Sequence, residues 1–318
     1  MPHIFSKIRA TAQPAAQSAS RPPAAIEISP EGVLAAARPA ARSRRGASDS
    51  AQGLVYAFAP LPAGALVPGI EEPNLRAPEA VTAAISSALD EVSPRTRAVT
   101  VILPDTVVRV FVLDFDSIPA KSAEAISVVR FRLRKMVPFD TEHAGVSYQV
   151  LSQDETECKV LAAVLPGPIL AEYEAAVRAA GYEPGAVLPS SLAALESLGS
   201  MEAFMAANLS AHAITTAIAT GQELLLYRTL DLPDDSAQRI AEIQRSIAVA
   251  SAYFEDKLGS QPRTLFYAGV QDTSEFAVSL GDPALSVSDW ASRPEEGAMT
   301  ALPQTCFAGV AGALAGAS

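Results

Sequence analysis

The side chains able to carry catalysis or bind a metal are few in this chain and widely separated. Cys158 and Cys306 are the two cysteines, and the three histidines are equally scattered. A zinc site needs several Cys or His ligands at short, defined spacings, which this pattern does not supply. Ser190 and Ser191 lack the glycine-flanked turn of a hydrolase nucleophile, and the sequence contains no GxxxxGK phosphate loop. We therefore predict no catalytic residue and no metal site.

Two carboxylates near the ends of strand-like segments, Asp105 and Asp114, are the remaining candidates for acid or base chemistry. Neither has a nucleophile or base in a recognisable relation to it. We interpret both as structural or solvated side chains.

Composition indicates a globular protein with an acidic body. The 318 residues predict about two domains, and 49% hydrophobic side chains suffice for sizeable cores. The net charge is −11, with a basic excess confined to the first 50 residues, so nucleic acid is not expected as a partner. No apolar run approaches the roughly 20 residues that cross a bilayer, and residues 1–23 lack the apolar core of a secretory signal. We predict a cytoplasmic protein with reduced cysteines, and interpret the basic stretch Arg38–Arg45 as a solvated loop.

Hydrophobic periodicity predicts the same order of elements in both halves of the chain, three strands followed by a helix and a buried strand. In the first half these segments are 25–29, 33–37, 54–59, a helix opened by Pro78, and 98–103. In the second half they are 204–210, 214–219, 223–230, the helix 236–258, and 264–268. The repeated order indicates a duplicated α/β unit with a cleft between two lobes.

A block between these repeats has a pattern of its own. A strand at 107–115 precedes a helix capped by Ser122, with Ile126, Val129, Leu133 and Met136 on its apolar face. We predict that Pro138 stops this helix and that Arg130, Arg134 and Lys135 face solvent. A hairpin at 146–152 and 159–165 follows, then a helix at 168–180 ended by Gly181 and another at 190–198. The predicted domains are a flexible arm (1–23), a first lobe (24–199, with an inserted subdomain at about 107–180) and a second lobe (200–318).

Several segments resemble, in order and spacing, the PilM family of type IV pilus assembly proteins. They are FAPLPAGAL at 58–66, VILPD at 101–105, KMVPFD at 135–140, YQVL at 148–151 and, more weakly, YRTL at 227–230 and CFAGVAGAL at 306–314. The resemblance implies an α/β actin-like fold, a duplicated ribonuclease-H-like architecture whose two lobes enclose ATP and whose first lobe carries an inserted subdomain.

The nucleotide-binding motifs of that family are degenerate here. Each lobe's first hairpin normally ends in Asp, an apolar residue and Gly, because glycine lets a backbone N–H approach the phosphates and Asp orients magnesium. The matching triplets are Glu27-Ile28-Ser29 and Asn208-Leu209-Ser210, so both glycines are serine. In the adenosine loop, 267–271, Gly269 alone remains. The resemblance therefore places a degenerate cleft at Glu27, Ser29, Asn208, Ser210 and Gly269, and we expect no cofactor and no hydrolysis, with ATP and magnesium as the alternative.

The resemblance also implies a partner. In the family, the N-terminal cytoplasmic peptide of a single-span membrane protein, PilN, docks in the first lobe as an extended chain. We expect a non-catalytic scaffold of the type IV pilus platform, cytoplasmic and peripheral at the inner membrane, that binds a PilN-like peptide near Arg109, Phe139 and Tyr148. The basic helix end at 130–135 is a candidate contact for a pilus motor ATPase.

Two alternatives remain open from the sequence. One is a working ATP-binding actin-like pilus assembly ATPase. The other is the cytoplasmic L-type platform protein of a type II secretion system, which normally continues into a transmembrane helix for which this sequence offers no candidate. Phe139 and Tyr148 equally fit a role in the core of the subdomain.

Overall fold

Two five-stranded sheets and an inserted three-stranded sheet form the framework of the molecule. The computed structural model describes residues 21–38, 54–154, 156–198, 203–221, 223–291 and 304–315. Residues 1–20 of the predicted arm and most of the basic stretch at 38–45 lie outside these ranges. Within them, Arg21 is buried and pairs with Glu196 at 2.5 Å, and Arg38 donates to the carbonyl of Leu314 at 2.9 Å.

The first sheet has the strand order β3-β2-β1-β4-β8. Its strands are β1 (Ala24–Ser29), β2 (Gly32–Ala37), β3 (Val55–Pro60), β4 (Ala98–Leu103) and β8 (Glu183–Pro189). β1 runs antiparallel to β2 and parallel to β4, which is parallel to β8. Every residue of β1 and β2 is buried, as expected for strands covered on both faces.

Strand β8 was absent from the sequence prediction. Pro184, Gly185 and Pro189 interrupt its apolar pattern, and all three are depleted from central strands. β8 tolerates them because it lies at the edge of the sheet and bonds to a neighbour on one side.

Helices cover both faces of the first sheet. One face packs against α1 (Pro78–Val92) and α3 (Gly167–Ala179), and the other against α4 (Ser190–Leu195) and α7 (Gln304–Ala315). Pro78 stands in the first turn of α1, and Gly181 follows α3 with a left-handed φ of 84°, so both sequence-based predictions are confirmed. Because α3 packs in the core of this lobe, the inserted subdomain ends before it, not at about residue 180.

The second sheet repeats the same order, β11-β10-β9-β12-β13. Its strands are β9 (Phe204–Leu209), β10 (Ala213–Thr220), β11 (Glu223–Asp231), β12 (Thr264–Gly269) and β13 (Ser286–Asp289), with helices α5 (Ser236–Leu258) and α6 (Thr273–Leu280). The inner face of α5 buries Ile243, Ile247, Ala250 and Phe254, whereas Ile240 is exposed. The shared strand order confirms the duplication that the periodicity predicts.

The inserted subdomain is a three-stranded antiparallel sheet covered on one face by a helix. It comprises β5 (Arg109–Phe115), α2 (Ser122–Leu133), β6 (Gly145–Gln153) and β7 (Cys158–Leu165), in the order β5-β7-β6. The other face of the sheet places Leu161 in a cluster shared with the second lobe. The subdomain is therefore anchored to both lobes.

Four predictions for α2 are wrong. Ser122 is its first helical residue and provides no side-chain cap, and the helix ends at Leu133, before Pro138 can stop it. Met136 therefore lies beyond the helix and is exposed. Arg130 does not face solvent, because its guanidinium donates to the carbonyls of the 141–144 loop, including Ala144 at 3.0 Å.

Candidate functional site

A cleft of about 50 Å³ lies between the two lobes, where the β1–β2 and β9–β10 hairpins face each other. Glu27, Asp105 and Ser190 line it from the first lobe, and Asn208 and Thr215 from the second. Because β1 and β4 are parallel neighbours, their carboxyl ends meet at one edge, which brings Glu27 on β1 close to Asp105 after β4.

Asp105 joins the two lobes through hydrogen bonds from several donors. Its Oδ1 accepts from the backbone N–H of Ser191 at 3.0 Å and from the hydroxyl of Tyr227 at 3.1 Å. Its Oδ2 accepts from the hydroxyl of Thr215 at 3.0 Å, from the Ser191 hydroxyl, and from the Asn208 amide at 3.5 Å. Burial raises the pKa of Asp105, and the hydrogen bonds from Ser191, Thr215 and Tyr227 act in the opposite direction.

The sequence-based interpretation of Asp105 as structural or solvated did not foresee that it lies between the lobes. Asp114 is exposed, which agrees with the same interpretation. A signal for Asp105 was available, since Pro104-Asp105 directly follows a buried strand that neighbours the Glu27 strand. No sequence signal pointed to Thr215 or Tyr227, which reach Asp105 from strands more than 100 residues away.

The helix N-terminus in the cleft already holds a carboxylate. Helix α4 begins at Ser190, and the backbone N–H of its next residue, Ser191, points at Asp105. Free N–H groups at a helix start attract phosphates and other anions. Here Asp105 occupies that position.

Glu27 is buried with one oxygen unpaired. Its side chain is 4% exposed, and Oε1 accepts from the Ser190 hydroxyl at 2.7 Å, whereas Oε2 has no hydrogen-bond partner among the described residues. A methyl group placed on Gly309 of α7 would lie 2.0 Å from Oε2, so the glycine makes room for this carboxyl. Burial raises the pKa of Glu27 well above its usual value, partly offset by the Ser190 bond, and the neighbouring Asp105 raises it further.

Replacing Glu27 with glutamine is expected to stabilise the protein at neutral pH and to flatten the pH dependence of its stability. Between the unfolded and the folded pKa, the folded state holds a proton that the unfolded state has released. Stability is therefore fully present below the unfolded pKa of about 4.5 and is lost as pH rises through the folded pKa. Each pKa unit corresponds to about 1.4 kcal/mol. Urea unfolding of E27Q across this pH range measures the effect.

The control for this substitution is Glu79→Gln on the exposed surface of α1. E79Q should reproduce the wild-type pH profile. If E27Q also followed the wild-type profile, the buried carboxyl would not be protonated in the folded state.

The hydroxyls of Ser29 and Ser210, at the positions where the resemblance implies glycine, bond within their own hairpins. Ser29 donates to the carbonyl of Gly32 at 3.1 Å, and Ser210 makes the equivalent bond to Ala213 at 3.2 Å. The Ser210 hydroxyl also accepts from the N–H of Ala213 at 3.0 Å. Both hydroxyls thus close the turns on which they stand.

Gly269 is required for packing. A methyl group there would lie 1.8 Å from the hydroxyl of Tyr267, whose ring stacks on Phe276 with centroids 3.9 Å apart. The neighbouring Val270, not Gly269, lines the cleft. The retained glycine is therefore explained without a nucleotide.

The described lining of the cleft is acidic. It includes the acidic residues Glu27, Glu31 and Asp105, and no lysine or arginine among the residues that the structure describes. Unlike an oriented phosphate site, this lining presents acidic side chains, so no lysine or arginine offsets the charge of an entering phosphate. The described residues also include no group of three or more His, Cys, Asp or Glu side chains arranged to hold a metal ion.

The predicted partner-binding residues do not form one cluster. Arg109 lies on β5, donates to the carbonyl of Thr106 at 3.1 Å and reaches Asp231 of the second lobe at 3.7 Å. Tyr148 lies on β6, at the opposite edge of the three-stranded sheet. Phe139 and Tyr148 both pack, half-buried, against the core of the inserted subdomain. Arg109 therefore links the subdomain to the second lobe, apart from the two aromatic residues.

Comparison with known structures decides the fold. The coordinates superpose on a PilM-PilN type IV pilus biogenesis complex with a TM-score of 0.70 and 19% sequence identity, covering 93% of this chain and 98% of that one. This chain has the PilM fold. The predicted actin-like, two-lobed α/β architecture is thereby confirmed.

Two further solved structures are similar to this chain, each with a TM-score of 0.49. The cytoplasmic domain of EpsL, from the type II secretion system of Vibrio cholerae, is 14% identical, with coverage of 89% of this chain and 92% of that domain. A protein of actin-like ATPase fold and unknown function from Bacteroides thetaiotaomicron is 12% identical, with coverage of 83% and 90%. No protein-family model and no curated protein sequence matches the chain.

Proposed function

We propose that this protein is a non-catalytic scaffold of a type IV pilus assembly platform, which binds the cytoplasmic N-terminal peptide of a PilN-like membrane protein. The observation that carries the proposal is the contrast between a fold shared with PilM over nearly the whole chain and a cleft closed by side chains. Asp105 occupies the helix N-terminus, and Ser29 and Ser210 are bonded within their hairpins. These bonds support the proposal, because they use groups that would otherwise be available to phosphates.

The inserted subdomain offers a surface on which an extended peptide can dock. Strand β6 is at the edge of its sheet, and its residues are half-buried or exposed along its whole length. An edge strand presents N–H and C=O groups that a peptide strand can pair with, and alternate side chains then enter neighbouring pockets. Tyr148 lies on this strand.

The membrane-spanning segment in this proposal belongs to the partner. Among the described residues, no helix combines the length and hydropathy needed to cross a bilayer. The single-span partner supplies the anchor, and the body of this protein lies on the cytoplasmic side of the inner membrane.

Calorimetric titration of the full chain with the N-terminal peptide of a PilN-like protein, with and without ATP and magnesium, tests the proposal. We expect micromolar or tighter peptide binding, no heat from ATP and no phosphate release. Peptide affinity should fall about tenfold in Tyr148→Ala, which removes roughly 1.4 kcal/mol of aromatic contact. Tyr253→Ala, at a half-buried tyrosine of the second lobe, is the matched control. If the protein hydrolysed ATP and did not bind the peptide, the scaffold proposal would be wrong and the ATPase alternative would be favoured.

A further inference from the structure

The outer surface of α2 and its C-terminal turn combines exposed apolar side chains with basic ones. Phe131 is 70% exposed, Met136 41% and Val128 37%, although large hydrophobic side chains are normally buried. We call this surface the α2 outer patch. It consists of Val128, Phe131, Arg132, Arg134, Lys135 and Met136.

The patch is a local reversal of the charge of the whole molecule. Residues 117–139 contain five basic side chains and one acidic one, in a chain of net charge −11. The acidic residue, Glu124, accepts a hydrogen bond from Lys121 at 3.0 Å. Arg130 donates to backbone carbonyls of the 141–144 loop. The other three cations are exposed and make no hydrogen bond or ion pair with the described residues. They are thus available to an anionic surface.

The shape of the patch favours a lipid surface over a protein. A specific protein interface covers about 800 Å² on each partner around a packed apolar core. Three partly exposed side chains on a convex helix supply far less than that. A bilayer interface needs no matching shape, since a few inserted apolar side chains and surrounding cations suffice for reversible binding.

We infer that the α2 outer patch binds directly to the anionic surface of a lipid bilayer. Phe131 inserts among the acyl chains near the headgroups, while Arg132, Arg134 and Lys135 lie against the lipid phosphates. Each cation close to an anionic membrane contributes roughly fivefold in affinity. This contact is separate from the proposed peptide contact, and would orient the inserted subdomain toward the membrane.

Co-sedimentation of the full chain with lipid vesicles tests the inference. The wild-type protein should bind vesicles containing phosphatidylglycerol and not vesicles of phosphatidylcholine alone, and added salt should weaken the binding. Phe131→Ser should lower the affinity about tenfold because it removes the inserted ring. The double substitution R132E/K135E should lower it at least about 25-fold, since two cations become anions.

Matched controls exist in the second lobe. Val278 on α6 is 83% exposed, so Val278→Ser removes a comparably exposed hydrophobic side chain. Arg228 and Arg263 are exposed, so R228E/R263E makes the same change of net charge away from the patch. Both controls should bind like the wild type. Because all substituted side chains are exposed, the thermal unfolding midpoints should stay the same.

Three results would overturn the inference. One is a wild-type protein that does not bind vesicles containing phosphatidylglycerol. A second is a loss of vesicle affinity in the control variants equal to that in the patch variants. The third is an R132E/K135E variant that binds bare vesicles normally but no longer binds the partner peptide, which would make the patch a protein contact. Peptide titrations without lipid, run on the same variants, distinguish failure of this inference from failure of the proposed scaffold.

Discussion

Replacing Asp105 with alanine is expected to lower the free energy of unfolding by about 3 kcal/mol or more, because each buried hydrogen-bond donor left without an acceptor costs about 1–3 kcal/mol. The substitution leaves the hydroxyls of Thr215 and Tyr227 and the N–H of Ser191 without their acceptor inside the cleft. A buried donor without an acceptor has lost its hydrogen bond to water and forms none within the protein, which destabilises the folded state. Because these donors come from both lobes, we also expect faster amide exchange in β10 and β11. Urea unfolding and hydrogen exchange measure the two effects.

Asp114→Ala is the matched control for this substitution. It removes the same carboxyl from an exposed position on the inserted subdomain and should change stability by less than about 0.5 kcal/mol. Tyr227→Phe removes a single donor, so its loss in free energy of unfolding should lie between those of D105A and D114A, at about 1 kcal/mol. If D105A were as stable as D114A, the hydrogen bonds of Asp105 would not hold the lobes together.

Replacing Gly312 with alanine is expected to destabilise the protein by about 2 kcal/mol, in spite of alanine's higher helix propensity. A methyl group at this position would lie 2.0 Å from the carbonyl oxygen of Ala193 and 2.8 Å from Cα of Ala194. Both atoms are backbone and cannot rotate away, so α7 must move off α4. The movement would loosen the cover of the first sheet, where Phe307 and Leu314 are buried. Thermal and urea unfolding measure the loss.

Gly69→Ala provides the comparison for Gly312. A methyl group at Gly69 meets nothing within 4 Å, so this variant should be as stable as the wild type or slightly more stable. Gly309→Ala should be less damaging than Gly312→Ala, since its close contact is the end of the flexible Glu27 side chain. Equal stability of G312A and G69A would show that the two helices can separate without cost.

The contacts between the two lobes and the inserted subdomain hold the parts of the molecule together. In a nucleotide-dependent protein, the groups between the lobes must be free to bind and release phosphates. Here Asp105 is bonded from both lobes, and Trp290 of the second lobe donates to the carbonyl of Ala194 in α4 at 3.1 Å. Lys159 of the inserted subdomain also pairs with Glu223 of the second lobe at 3.0 Å. Such a body is suited to holding partners in fixed positions.

The element order was predictable because hydrophobic periodicity is local. The hairpin of β1 and β2, helix α5 and the three-strand order of both halves follow from apolar spacing and turn residues, and the structure confirms them. The misses have equally local causes. Strand β8 contains two prolines that only an edge position permits, and the turn after α2 forms before Pro138. Neither the edge position nor the early turn is encoded in a repeating pattern.

The sequence by itself determined the duplicated architecture and the loss of both hairpin glycines. Only the tertiary structure decided what fills the cleft. Asp105, Thr215 and Tyr227 are far apart in the chain, and no spacing rule connects them. Arg130 illustrates the same point, because its helix position predicts solvent whereas a loop 11 to 14 residues later supplies its acceptors. Apolar burial follows a local period, but a buried polar group is satisfied by whichever donors and acceptors the completed fold brings beside it.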